Sequence, residues 1–295
     1  MFAFLAASLI APLSIPTSRP PEPSPLANAQ ARMAPRPRRE THSISIPIPA
    51  PAPAIALPPV EGPRDPDRPL IVIDAGHGGH DPGAINMTHG WREKDITLAI
   101  ARAIRAELLK SGRFRVALTR DDDLFLILQE RYGLARRLGA DLFLSIHADA
   151  SMDAGVRGAS IYTLSEIASD RESARLAARE NRADILNGVD LSGRSSAVSN
   201  ILIDLAQRDA MTRSTRFARI LEREARPFVA FLNPAHRFAS LVVLKSPDTP
   251  SILLETGYIS NDDDGASIRS AAGQRRIAQG VARAVAVFFA RETMP

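Results

Sequence analysis

The chain has 295 residues, 45% of them hydrophobic, and a formal net charge of +4. This composition allows a sizeable core in one large or two small domains, and the modest charge gives no reason to expect nucleic-acid binding. Because there is no cysteine, disulfides and thiolate metal sites are excluded, and any zinc must be bound by His, Asp or Glu.

The amino terminus is typical of an exported protein. Residues 2–15 are apolar but too few to span a bilayer, and small and Pro-rich residues follow them, as in a secretory signal. The start lacks positive charge, so a loose apolar tail is the alternative. We expect a signal segment at 1–15, export, and no stable membrane span.

Residues 16–68 predict a linker. The segment is dominated by Pro, Ala, Ser and Arg, and proline at this density excludes helix and removes the donors that a sheet needs. We therefore expect an extended chain here, followed by one folded domain over residues 69–295.

Inside that domain, strand-like and helix-like patterns alternate. The predicted strands are 70–74, 114–119, 141–146, 159–164, 241–244 and 251–254, and the predicted helices are 94–109, 126–138 and 273–290. This alternation predicts a single α/β domain, with a mostly parallel or mixed sheet of about six strands and helices on both faces.

Residues 166–234 interrupt the alternation. The segment is long and polar, with helical patterns at 172–186 and 199–228 around the Gly/Ser/Asp-rich string NGVDLSGRSS. We interpret it as a helical insertion that follows the strand at 159–164, from where it can reach the carboxyl edge of the sheet.

Three polar residues follow predicted strands. His77 lies in the glycine-rich turn of IVIDAGHGGHDPG, His147 ends the run LFLSIH, and Glu255 ends SILLE. Because parallel strands present functional side chains at their carboxyl ends, these groups are expected to meet. With Glu93 on the first loop, the two histidines supply the three protein ligands typical of catalytic zinc. Glu255 is then placed to act as the base.

Each of these residues has a structural alternative. His77 could be a turn histidine bonded to the backbone, and His147 a buried histidine satisfied by a neighbour. Glu93 could be an ordinary carboxylate at a helix start, and Glu255 the partner of one of the many arginines. The remaining domain histidines are interpreted as loop residues, with substrate contact as the alternative: His80, His89 and His236.

Four motifs in order carry a resemblance to a known family. DAGHGGHDPGA, the Glu of REKDITL, SIHADA and LLETGYISN resemble the zinc-dependent N-acetylmuramoyl-L-alanine amidases, specifically the periplasmic cell-division amidases of Gram-negative bacteria. The resemblance implies one zinc ion on His77, Glu93 and His147, and Glu255 as the catalytic base. It also implies hydrolysis of the amide between N-acetylmuramic acid and L-alanine in peptidoglycan, for septal wall splitting.

The insertion resembles the regulatory segment of those enzymes. There a helix covers the site and adds a glutamate to the zinc, and the string LAARENRADIL makes Glu180 the candidate inhibitory ligand. A solvated helical glutamate is the alternative. The resemblance further implies an activator, an inactive relative of the zinc endopeptidases, that docks on the 166–234 insertion near ILIDLAQRD.

Two other functions remain open. Another zinc peptidase acting on wall peptides would use the same ligands. A non-catalytic peptidoglycan-binding module would not need Glu255. The turn at His77 lacks the Lys-Ser/Thr and the glycine spacing of the phosphate-binding loops.

Overall fold

The computed structural model describes residues 55–183 and 200–292. For residues 183 and 200–205 it describes the backbone but not the side chains. The predicted signal segment, most of the linker and the middle of the insertion lie outside these residues. Eight strands and six helices are described. The strands are β1 Leu70–Ala75, β2 Ile85–Asn86, β3 Trp91–Arg92, β4 Arg115–Leu118, β5 Leu142–His147, β6 Ala159–Leu164, β7 Phe231–Ala239 and β8 Ser251–Glu255. The helices are α1 Glu93–Leu109, α2 Leu128–Leu138, α3 Arg171–Glu180, α4 Asn200–Ala225, α5 Asp262–Arg269 and α6 Ala271–Glu292.

Six strands form one mixed sheet in the order β4-β1-β5-β8-β6-β7. The first four of these run parallel, β6 pairs antiparallel with β8, and β7 pairs parallel with β6. β1, β5 and β8 are buried along their whole length, as expected for parallel strands covered on both faces. Their carboxyl ends therefore reach one common edge of the sheet.

Helices cover both faces of the sheet. On one face α1, α4 and α6 pack around a core that includes Ile100, Phe217 and Phe288. On the other face α2 and α3 pack on a smaller core with Tyr162 and Leu176. The predicted α/β class, the six-stranded mixed sheet and the two helical layers are thereby confirmed. No helix in the described ranges has the length and apolar character needed to cross a membrane.

One predicted strand is wrong, and one strand of the six-stranded sheet was missed. Residues 241–244 form a short 3-10 turn at Val242–Leu244 rather than a strand; this run is apolar because it packs in the smaller core, not because it joins the sheet. The strand in this region is β7. It was missed because it is an edge strand, partly exposed and interrupted by Pro234, and such strands lack a regular apolar pattern.

The two helical patterns of the insertion have different surroundings. The first corresponds to α3 and a 3-10 turn at Asn181–Ala183. The second corresponds to α4, which buries Phe217 and Leu221 against α6 and the sheet, so this helix contributes to the core. Residues at the end of the predicted linker also contact the domain, since Glu61 pairs with Val116. The domain bounds themselves stay a prediction.

Candidate metal centre

The sheet brings the sequence-predicted residues to one edge. His147 and Glu255 are the last residues of β5 and β8 and face each other in the register of these neighbouring strands. His77 follows the end of β1, on the other side of β5. Glu93 is the first residue of α1. His77, His147 and Glu255 therefore lie together at the carboxyl edge of the sheet, as expected from their positions at strand ends.

The two histidines lie on either side of Glu93. His77 Nε2 is 3.1 Å from one Glu93 oxygen and His147 Nδ1 is 3.1 Å from the other. The ring centroids of the histidines are 4.9 Å apart. Both rings and the carboxylate are buried, so their charges and lone pairs interact without much screening by water.

The turn at His77 orients its ring. His77 adopts a positive φ of 61°, and its Nδ1 lies 2.8 Å from Asp81 Oδ2. Because a carboxylate only accepts hydrogen bonds, Nδ1 donates to Asp81, and Nε2 is the ring nitrogen that faces Glu93. Gly83 is required beside this ring: a Cβ there would lie 2.6 Å from His77 Cδ2 and 2.7 Å from a Glu93 oxygen.

Glu93 is held as an anion. Its oxygens accept hydrogen bonds from the backbone N–H groups of Ala84 and Ala148, at 2.8 and 2.9 Å. Burial alone would raise the pKa of Glu93, but the two histidines hold it well below its ordinary value. For His77, burial would lower the pKa, and the carboxylates of Glu93 and Glu180 raise it well above its ordinary value.

The donor set fits a zinc ion. His77 Nε2 is buried without a hydrogen-bond partner among the described residues, and single ligand atoms of His77, His147 and Glu180 lie within 4.8 Å of one another. The two oxygens of Glu93 face different histidines, and each lies closer to a ring nitrogen than Glu180 Oε2 does. Two imidazoles and a carboxylate with room for a further ligand are the pattern of catalytic zinc.

Glu255 is fully buried beside this centre. Neither of its carboxylate oxygens has a hydrogen-bond partner among the described residues. Burial, together with the neighbouring carboxylates of Asp149, Glu93 and Glu180, raises its pKa well above the ordinary value. A carboxyl group in this position retains a proton more readily than one in water, which is the property required of a group that exchanges protons during hydrolysis.

Helix α3 lies directly over the centre. Glu180 Oε2 is 3.4 Å from His77 Nε2 and 3.2 Å from His147 Nδ1. The other Glu180 oxygen accepts hydrogen bonds from the Arg179 guanidinium at 3.0 and 3.1 Å. Glu180 is buried, so the alternative of a solvated helical glutamate does not describe its position.

Asp149 and Arg179 form a contact that sequence reasoning missed. Arg179 Nη1 lies 2.6 Å from Asp149 Oδ1, with Asp149 buried and Arg179 41% exposed. Burial raises the pKa of Asp149 to about 7, the carboxylates of Glu93 and Glu180 add to this, and Arg179 opposes it. The contact joins α3 to the loop that follows β5. Asp149 lies in the quoted motif SIHADA, but only tertiary contact pairs it with Arg179.

A second feature that sequence reasoning missed is the pair of Asp74 and Arg131, which supports the His77 turn. Asp74, inside β1, is 2.9 Å from Arg131 Nη1 and also accepts hydrogen bonds from Thr119 and Ser145. Arg131 in turn donates to the carbonyl oxygens of Ala75 and His77. A charged residue within an apolar strand needs such partners. The presence of Asp74 in β1 could therefore have indicated a buried charged pair.

The other histidines in the described part of the chain do not join the centre. His80 packs against Phe125, and His89 stacks on Trp91. His236, expected in a loop, lies in β7, where its Nε2 is 2.9 Å from Thr163 Oγ1. The loop assignment of His236 is therefore wrong, for the same reason that β7 was missed.

Comparisons with known proteins identify the family of the domain. Residues 71–287 match the family model of N-acetylmuramoyl-L-alanine amidase. The chain is 35% identical over 238 residues to the N-acetylmuramoyl-L-alanine amidase AmiC of Escherichia coli, covering 79% of this chain and 56% of AmiC. It is 36% identical over 221 residues to the amidase AmiA of Salmonella typhimurium, covering 75% of this chain and 76% of AmiA.

A solved structure is also similar. The catalytic domain of CwlV, an N-acetylmuramoyl-L-alanine amidase from Bacillus (Paenibacillus) polymyxa var. colistinus, superposes with a TM-score of 0.56 at 27% identity, covering 75% of this chain and 98% of that domain. The resemblance predicted from the four motifs is confirmed, and the chain belongs to the N-acetylmuramoyl-L-alanine amidase family.

Proposed function

We propose that the protein is a zinc-dependent enzyme that hydrolyses the amide between the lactyl group of N-acetylmuramic acid and L-alanine in peptidoglycan. The observation that carries this proposal is the convergence of His77, Glu93 and His147 next to a buried, unpaired Glu255. The amidases AmiC and AmiA, to which most of the domain is similar, support the choice of substrate.

In this proposal His77, Glu93 and His147 hold one zinc ion per chain. When bound there, zinc would supply Lewis-acid chemistry, polarising the scissile carbonyl and making water more acidic. Asp81 keeps the proton of His77 on Nδ1, so that Nε2 points to the metal position, and the backbone donors at Ala84 and Ala148 fix the Glu93 carboxylate. These contacts set the ligand geometry before substrate arrives.

Glu255 moves the proton in this mechanism. Its carboxylate would take a proton from the attacking water and deliver it to the nitrogen of the leaving alanine. Burial and the nearby carboxylates raise its pKa, so the group holds the proton taken from water until it passes to the departing amine. The two products are a glycan strand with a free lactyl carboxylate and a stem peptide with a free amine.

We further propose that α3 inhibits the enzyme. Glu180 fills the space between the two histidines, which is the position that water and the scissile carbonyl would need. Arg179 orients Glu180 and binds Asp149, so the helix is attached at two adjoining points. Activation then requires a partner that binds the open state more tightly than the closed state.

The cellular setting is also part of the proposal. The apolar start of the chain supports export to the periplasm, and the division amidases that the motifs resemble support a role in septal wall splitting and daughter-cell separation. The activator would be of the degenerate zinc-endopeptidase type and would dock on the 166–234 insertion. Of its candidate docking string ILIDLAQRD, residues 201–205 are described only as backbone.

Metal analysis combined with wall digestion tests the proposal. The purified full-length protein should contain one zinc ion per chain, and Glu180→Ala should digest purified peptidoglycan faster than the wild type. Mass spectrometry should identify stem peptides that begin with a free alanine amine. New ends inside the stem peptide would indicate the alternative zinc peptidase, and binding without any new end would indicate a wall-binding module.

A further inference from the structure

Arg237 is a largely buried cation beside the candidate centre that the proposed mechanism does not use. It lies on β7 with its side chain 12% exposed. Its Nη1 is 3.3 Å from Asp170 Oδ2, and its Nε donates to the carbonyl oxygen of Pro234 at 3.3 Å. A guanidinium has five N–H donors, so these two long contacts use only part of its capacity to bind an anion.

The partner of Arg237 belongs to the inhibitory helix. Asp170 is the N-cap of α3, and its Oδ1 accepts a hydrogen bond from the Ser173 N–H at 2.7 Å. Arg237, in contrast, is fixed in the sheet by the pairing of β7 with β6. When α3 leaves the centre, as activation requires, Asp170 leaves with it and Arg237 stays on the sheet without its anion. A guanidinium in that state has donors free for another carboxylate.

Arg237 lines a cavity between the inhibitory segment and the body of the domain. The cavity has a volume of about 750 Å³ and is lined by Tyr258 and by the loop 150–153 on the body of the domain, and by Arg175, Arg179 and Arg182 of the inhibitory segment. The latter three arginines would move with α3. Among the cationic residues of this lining, Arg237 is the one that the sheet holds in place.

The sheet register gives the separation of Arg237 from Glu255. Ser160 of β6 faces Glu255, and two residues further along β6 Tyr162 pairs with Arg237. With strands about 4.8 Å apart and a rise of about 3.3 Å per residue, the Cα atoms of Glu255 and Arg237 are separated by about 12 Å. An extended peptide spans this distance in about three or four residues, which corresponds to the first residues of a stem peptide.

We propose that Arg237 is a specificity residue that binds a free carboxylate of the stem peptide, and that Asp170 occupies its place in the closed state. The inference rests on the proposed function, because it assigns the peptide side of that substrate to this cavity. Arginine binds a carboxylate through two parallel hydrogen bonds, and Asp170 offers only one long contact. A substrate carboxylate therefore makes a better partner than the one that α3 supplies.

The test compares two synthetic substrates. N-acetylmuramoyl tripeptides with free carboxylates at the second and third residues are compared with their carboxamide analogues, using the zinc-loaded full-length Glu180→Ala protein. We expect Arg237→Gln to raise KM for the carboxylate substrate by about 10-fold or more, the usual effect of losing a charge-assisted hydrogen bond. The kcat for the carboxylate substrate should stay within about twofold of the parent value. The kcat and KM for the carboxamide substrate should also stay within about twofold, because this substrate has no carboxylate for Arg237 to bind.

Two further variants sharpen the comparison. Arg237→Lys should recover part of the carboxylate preference, since it keeps the charge but not the paired geometry. Arg175→Gln is the matched control: Arg175 lines the same cavity from α3, is 75% exposed and pairs with Glu172 of its own helix. This variant should leave the ratio of the two KM values unchanged.

The outcomes separate the inference from the function on which it rests. Equal KM increases for both substrates in Arg237→Gln would overturn the carboxylate role while leaving the amidase assignment intact. Hydrolysis of neither substrate by the parent protein would overturn both. If Arg237→Gln does not fold, Asp170→Asn decides, because asparagine keeps the helix cap and frees Arg237. The KM for the carboxylate substrate should then fall relative to that for the carboxamide, and an unchanged ratio would overturn the inference.

Discussion

Replacing Arg179 tests whether α3 is held closed by its contact with Asp149. The substitution Arg179→Gln removes a pair that joins the helix to the loop after β5 at 2.6 Å. Breaking a fully buried pair costs about 3–5 kcal/mol, whereas an exposed pair contributes at most about 1 kcal/mol. Because Arg179 is 41% exposed while Asp149 is buried, we expect about 1–2 kcal/mol in favour of opening.

This free energy predicts a measurable gain in basal activity. Since 1.4 kcal/mol is a factor of ten in an equilibrium constant, the open fraction should rise about 5–30-fold. The rate of peptidoglycan digestion without activator should rise with it, and amide hydrogen exchange of α3 should accelerate by a similar factor in zinc-free protein. Arg175→Gln, on the exposed side of the same helix, controls for loss of positive charge. If Arg179→Gln leaves both digestion and exchange at the wild-type rate, the contact does not hold the helix closed.

The remaining predictions concern the centre and its support. Glu255→Gln should keep its zinc and lose about 10²–10⁴-fold in kcat, the usual contribution of general acid–base catalysis; turnover near the wild-type rate would contradict its role. His77→Ala should lower the zinc content measured by atomic emission, and full occupancy would remove it from the ligand set. Gly83→Ala should weaken zinc binding in an otherwise folded protein, because its Cβ would displace His77 or Glu93; an unchanged Kd would refute this.

The same group includes a prediction of pH dependence. Burial alone would raise the pKa of Asp74, but Arg131, Thr119 and Ser145 hold it below the ordinary 3.8. A carboxyl whose folded pKa is depressed stabilises the protein above its unfolded pKa and loses that contribution as pH falls through the folded value. Asp74→Asn should therefore cost about 3–5 kcal/mol in urea unfolding at pH 7, and the difference from wild type should shrink below about pH 4. A difference that is constant with pH would show that ionisation of Asp74 is not involved.

The parts of the fold and centre that follow from local pattern could be predicted from the sequence. Buried parallel strands are continuous apolar runs, so the ends that present His77, His147 and Glu255 were readable. Glu93 was harder, because the loop between β1 and α1 must fold back before its carboxylate meets both histidines. From the residues alone, a ligand and an ordinary carboxylate at a helix start were both open, and the family resemblance favoured the ligand. In the structure Glu93 lies 3.1 Å from each of the two rings.

Long-range charge pairing was not readable. Asp149 and Arg179 are thirty positions apart, and no periodicity relates a loop after one strand to the last turn of a helix on the opposite side of the site. The same holds for Arg131, which supports the His77 turn from α2. β7 was not predicted because it is an edge strand, and a half-exposed strand has the mixed polar and apolar pattern of a loop. The position of Arg237 on the sheet could not be predicted for the same reason.

The contacts of α3 together suggest how substrate and activator act on the same equilibrium. The helix presents a carboxylate to the two histidines through Glu180, a guanidinium to Asp149 through Arg179, and a carboxylate to Arg237 through Asp170. Opening leaves Asp149 and Arg237 on the body without these charged partners, which disfavours the open state on its own. A peptide that supplies a carboxylate at Arg237 removes part of that penalty, so substrate binding should itself favour opening. Because such coupling is reciprocal, an activator that stabilises the open state must then raise the affinity for carboxylate-bearing peptides more than for their carboxamide analogues.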